Sequence, residues 1–72
     1  MSVANNGPGS ITSRIAAVGV GVAQGETARE TAVRLHMSPF TVQKYRRVWV
    51  ESLGARNLPN AVQVAHDRGI LR

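Results

Sequence analysis

Seventy-two residues, with nine lysines and arginines against four acidic side chains, leave room for one small domain and nothing else. A core that small does not readily enclose a substrate-sized cavity, so an enzyme acting on a small-molecule substrate is not expected, and the absence of cysteine excludes disulfide staples and Cys-containing zinc sites and points to a reducing, intracellular compartment. The net charge of +5 asks for a polyanionic partner, either nucleic acid or an anionic surface.

Residues 1–10 contain Asn5, Asn6, Gly7, Pro8 and Gly9, turn and linker chemistry that reads as a flexible, disordered tail. From Thr12, the residues Ile15, Val18 and Val22 recur at spacings of three and four and predict a first helix ending near Gly25. Gly19 and Gly21 oppose it, each at about 0.8–1 kcal/mol relative to alanine. Val18 to Val22 also reads as a short strand, but such a strand has no partner in this chain. The apolar run Ile15 to Ala23 has nine residues, where a membrane-spanning helix needs about twenty. It follows Arg14 and ends in small residues as a secretory signal does, yet residues 1–13 carry no Lys or Arg, so a signal peptide is not expected.

Thr27 followed by Glu30 is a capping box opening a second helix, Ala28 to Leu35, with Ala28, Ala32 and Leu35 on one side and Arg29, Val33 and Arg34 elsewhere. His36 and Met37 form a brief connection, with His36 exposed. Ser38 and Pro39 then supply an N-cap and a first-turn proline for a third helix running to about Leu53. Val42, Tyr45, Trp49 and Leu53 make its apolar stripe, while Gln43, Lys44, Arg46 and Arg47 face outward. Gly54 ends it in a left-handed cap, and Asn57 caps a fourth helix whose buried side holds Ala61, Val62 and Ala65 and whose stop is Gly69. The expected fold class is all-α, a compact four-helix domain over residues 11–72.

Two short helices joined by three residues, the second basic on its outer face, are the arrangement by which helix-turn-helix proteins place a recognition helix in the DNA major groove. Gln43, Lys44 and Arg47 lie a turn apart near the leading end of that helix; Gln pairs with adenine, and Lys or Arg donates to guanine O6 and N7. The competing reading is a merely solvated charged face. Phe40, off the stripe, is open to three roles: contact with a thymine methyl, packing beneath the turn, or binding another protein. Trp49 suits the core better than base stacking. Catalysis finds little support, because His36, His66 and Asp67 are the main candidates and neither a Cys-His nucleophile nor a phosphate-binding Gly-rich loop is present. His66 is expected on the outer face of the last helix. No metal and no cofactor are expected.

The chain also resembles the DNA-binding domain of LuxR/GerE-type regulators, through Ile11, Thr12 and Arg14, then Ala23, Gly25, Glu30, Ala32, Leu35, Met37, Ser38, Thr41 and Val42. The similarity resumes at Leu53, Gly54 and Asn57 and closes with Ala61, Val62, Ala65, Gly69 and Leu71. The resemblance implies a third helix that reads double-stranded DNA and a fourth that pairs two copies on inverted half-sites. Its base readers fall on Gln43, Lys44 and Arg47, the three residues that the groove argument names. It adds Ser38, Thr41, Tyr45 and Arg46 as phosphate contacts, with Tyr45 equally suited to the core, and the outward side of the fourth helix at Asn60, Gln63, Val64 and Asp67 as the pairing surface, with Val64 equally suited to the core. Glycines 19 and 21 depart from large apolar residues usual in the family and imply a thinner or bent first helix. Ile15 and Leu58 replace an acidic and a basic residue, while Thr31 and Ser52 weaken one core contact and one phosphate contact. The expected protein is a transcription regulator of the bacterial cytoplasm or nucleoid, or a phage protein acting there, consisting of the effector domain alone and forming a homodimer. Its rivals are a small interaction module acting on RNA polymerase or another regulator, and a recombination accessory protein.

Overall fold

Three of the helices begin where a side chain satisfies backbone amides that a helix start leaves open. In the computed structural model, which describes residues 13–71, the helices are α1 (Ser13–Ala23), α2 (Ala28–Leu35), α3 (Pro39–Ser52) and α4 (Leu58–Asp67), with no strand among the described residues. The predicted tail over residues 1–10, together with Ile11 and Thr12, lies outside them. Thr27 Oγ1 accepts from Glu30 N at 3.1 Å while Glu30 Oε1 accepts from Thr27 N at 2.8 Å, the reciprocal box expected for α2. Ser38 and Asn57 cap α3 and α4 through bonds from Thr41 N at 3.1 Å and Asn60 N at 2.8 Å. Gly54 follows α3 with φ +67°, as a left-handed stop requires. The α2 stop has no glycine. His36 takes the left-handed conformation at φ +56°, exposed as expected, and Met37 N closes the turn on Ala32 O at 2.9 Å.

α3 is the central element. Trp49, Leu53 and Ile15 form one apolar cluster with Ala61 and Ala65 of α4, and Val18, Ala32 and Val42 form a second, with Tyr45 packed against both. The predicted stripe of α3 is therefore its buried side. Ile15 and Leu58, two departures from the family pattern, belong to the same apolar cluster.

The two α1 glycines leave the helix thin where another part of the chain packs against it. A Cβ on Gly19 would overlap the Trp49 indole at Cε2, Nε1 and Cζ2. The missing side chain is what lets α1 and α3 approach, and the approach seals Trp49 at 1% exposure. Gly21 does the same for a polar cluster: a Cβ there would meet Glu26 Oε1, Thr31 Oγ1 and Arg34 Nη2.

That cluster is centred on Glu26, in the α1–α2 connection. Its carboxylate accepts from Thr31 Oγ1 at 2.7 Å and from Arg34 Nε at 2.8 Å, and its backbone carbonyl accepts from Arg46 Nη2 of α3 at 2.9 Å. Arg34 Nη2 also donates to Ala17 O of α1 at 3.3 Å, so one acidic residue ties three helices. Thr31, where the family usually has an apolar residue, is fully buried with its hydroxyl satisfied, the condition under which a buried polar group is tolerated. The hydrogen bonds from Arg34 and Thr31 hold the Glu26 carboxyl below the usual carboxylate range. A lowered folded-state pKa contributes stability above the ordinary glutamate value, about 4.3, and loses it as pH falls through the lowered one. Thermal melts of Glu26→Gln are therefore expected to lie below wild type at pH 7, with the gap closing as the solution is acidified past that range; a gap independent of pH would assign the loss to something other than the charge.

Candidate nucleic-acid interface

With one side of α3 committed to the core, the other is set by helical spacing. Phe40, Gln43, Lys44 and Arg47 stand at i, i+3, i+4 and i+7 and are all exposed, so one continuous stripe carries an aromatic ring, an amide and two cations. Trp49 and Val42 on the opposite side fix the rotation of the helix, and hence the direction in which the stripe looks.

At the head of the stripe Ser38 is exposed and Thr41 half-buried. Ser38 Oγ accepts from Thr41 N and donates to Thr41 Oγ1 at 2.9 Å. Its hydroxyl proton is spent on the cap, whereas Thr41 Oγ1, which accepts it, keeps its own O–H for another acceptor. Tyr45 is half-buried and packs against both core clusters, so of its two expected roles the structure displays the packing one.

Arg46 is the main correction to the sequence reading. It does not face outward with its neighbours: it is half-buried, spans 20 residues of sequence to reach Glu26 O, and has a buried Nε without a hydrogen-bond partner. Ser52, likewise, donates to Trp49 O at 2.8 Å and serves the end of α3.

Beside Arg47 an open cleft of ≈ 430 Å³ runs between α3 and the α3–α4 connection, lined by Gln43, Arg47, Glu51, Arg56 and Asn57 among others. Arg56 was not singled out by sequence. It is exposed, its backbone N donates to Asn60 Oδ1 at 3.0 Å, and it adds a cation to the flank of the stripe. No helical period reaches a loop residue; the available signal was its place directly before the Asn57 cap.

The α4 residues expected to pair two copies share a face by their spacing, but not equally. Gln63 and Asp67 are exposed; Asn60 is half-buried and bonded into the Asn57 cap, and Val64 packs against the core. His66 is exposed on α4, as expected, beside a groove formed with Val20, Gln24, Ile70 and Leu71.

Among the described residues no three His, Asp or Glu side chains gather as a set of metal ligands, and no helix is long and apolar enough to cross a membrane. No protein-family model and no curated protein matches this chain.

Proposed function

We propose that this chain is a sequence-specific double-stranded DNA-binding transcription regulator of LuxR/GerE type, with α3 as its recognition helix. The observation that carries the reading is the exposed stripe of Gln43, Lys44 and Arg47 on a helix whose rotation is locked by buried Val42 and Trp49. A major groove about 12 Å wide admits one helix, and the side chains needed to read adenine and guanine edges are on the side that would face it. A regulator must present them in a fixed register, which the helix caps and the Glu26 cluster supply through the α2–α3 turn and Arg46.

Thr41 at the leading end, through the O–H that the Ser38 cap leaves to it, and Arg56 across the cleft are positioned to meet phosphates on either side of the groove, while Ser38 serves the cap. Tyr45 then acts from behind the interface, while Arg46, bonded to Glu26 O, lines the cleft beside it. The body measures 30 × 27 × 20 Å, so two copies lying abreast would space their α3 helices comparably to one DNA turn, about 34 Å. Gln63 and Asp67, with the exposed edges of Asn60 and Val64, are the surface proposed for that pairing.

The test is selection from random duplexes at fixed, near-physiological salt, with wild type beside the Gln43→Ala, Lys44→Ala, Arg47→Ala triple variant. An inverted repeat enriched by wild type and lost by the variant supports a dimeric reader; no motif from folded protein overturns the proposal. One observation favours the interaction-module reading: Val33 is 77% exposed in an apolar depression of α2 with Arg29, Glu30 and Arg34, away from the α3 stripe. A partner bound there would survive the triple substitution.

A further inference from the structure

Phe40 is 81% exposed, although the other two aromatic side chains of the chain are turned into the protein, Trp49 buried and Tyr45 half-buried against both apolar clusters. Packing beneath the turn, one of the roles open to it from sequence, is thereby excluded. The ring contributes little burial to folding, so most of its apolar surface leaves water only on binding. Its position is also well defined. Pro39 restricts the backbone ahead of it, the Ser38 cap holds the first turn through Thr41 N, and Phe40 stands one turn before Gln43 and Lys44 on the same exposed stripe.

On the proposed reading of α3, which this inference assumes, Phe40 is at the leading end of the recognition helix, the part that approaches base edges most closely. Donors and acceptors occupy almost all of the major-groove edge of a base pair; its apolar group is the C5-methyl of thymine. An aromatic ring in line with an amide and two cations complements a groove edge in which a thymine methyl adjoins adenine and guanine acceptors. A protein partner for the ring would need an apolar surface that also tolerates Lys44 and Arg47 alongside, and the charge of the stripe favours the polyanion. We infer that Phe40 is a specificity-determining residue that reads the C5-methyl of thymine, ahead of the polar contacts of Gln43, Lys44 and Arg47.

The test uses the full chain and the duplex recovered by selection, with each thymine replaced in turn by deoxyuridine, a change that removes the methyl and leaves the hydrogen-bonding edge intact. At one thymine per half-site, wild-type affinity is expected to fall by about fourfold, the worth of one buried methyl-sized group. Phe40→Ala, at an exposed position behind an intact cap, is expected to bind the parent duplex more weakly and to be indifferent to uridine there. Phe40→Leu, which keeps an apolar contact, retains part of the discrimination. Three results overturn the inference. A wild type indifferent to every uridine does so, as does a uridine penalty that persists undiminished in Phe40→Ala. Parent-duplex affinity unchanged in Phe40→Ala would do so as well and would leave the ring to a protein surface. In all three DNA binding itself stands, whereas failure to select any duplex removes the DNA-binding reading and this one with it.

Discussion

Gly19→Ala is expected to lower stability by about 2 kcal/mol, against the usual preference of helices for alanine over glycine. The substitution gains about 1 kcal/mol in helix propensity, but the new Cβ would overlap the Trp49 indole, which is buried and enclosed by α1, α3 and α4. Forcing atoms into a packed site costs about 1–3 kcal/mol and occasionally more, and a planar ring locked on all sides is a poor candidate for relaxation. For a domain this small, each kcal/mol shifts the midpoint by about 4–8 °C, so a melt followed by circular dichroism should show a fall of roughly 10 °C. The mechanism has a second signature. In a Trp49→Leu background, itself destabilised, the same Gly19→Ala change should be neutral or stabilising, because the propensity gain remains after the indole has gone. A higher midpoint for Gly19→Ala alone would show that α1 and α3 are not in close contact.

The same glycine shows where sequence stopped informing the fold. Helix starts were legible because caps are local: Thr27 and Glu30 are three residues apart, as are Ser38 and Thr41 and the Asn57–Asn60 pair, and all three form the expected bonds. The α3 stripe was legible because burial follows the helical period. Gly19 and Gly21 read in sequence as propensity costs and as departures that thin or bend the first helix, since what they permit involves Trp49 and the Glu26 cluster, brought near by tertiary packing. Glu26 drew no notice for the same reason. Its partners Thr31, Arg34 and Arg46 lie five, eight and 20 positions away, and nothing in a linear pattern couples them.

Arg46 illustrates the limit within the candidate site. Helical spacing placed it near Lys44 and Arg47, and a cation on a basic helix reads as solvated by default. A long side chain can nevertheless fold back along the helix surface, burying its stem while its guanidinium finds a carbonyl, and here Glu26 O is within reach. Periodicity fixes the direction of Cα–Cβ, not the destination of a long, flexible side chain beyond it. The exposed stripe survives this correction because Gln43, Lys44 and Arg47 all remain exposed. Arg56 enters from a loop, and the α4 face divides into exposed Gln63 and Asp67 and half-buried Asn60 and Val64 because Asn60 is bonded into the α4 cap and Val64 packs against the core.

Reversing Lys44 and Arg47 together to glutamate is expected to abolish specific duplex binding, by at least about two orders of magnitude, with the helical fold intact. Both side chains are exposed and neither makes a hydrogen bond or ion pair with another described side chain, so the fold does not depend on them. Each good base-edge contact discriminates by about 1–3 kcal/mol, and two carboxylates set against groove acceptors and phosphates add repulsion to the lost contacts. Single alanine variants then separate two roles that the reversal merges. A cation on a phosphate contributes about 0.9 to the slope of log affinity against log salt, and removing it weakens every duplex alike. A cation on a guanine edge chiefly affects discrimination at one base pair. Arg47→Ala is therefore expected to relax preference at a single position, whereas Arg56→Ala, across the cleft, should lower the slope by about one unit without changing the preferred sequence. Interchange of these two outcomes would move the reading edge from the α3 stripe to the α3–α4 connection. A double reversal that bound as tightly as wild type would remove α3 as the recognition helix.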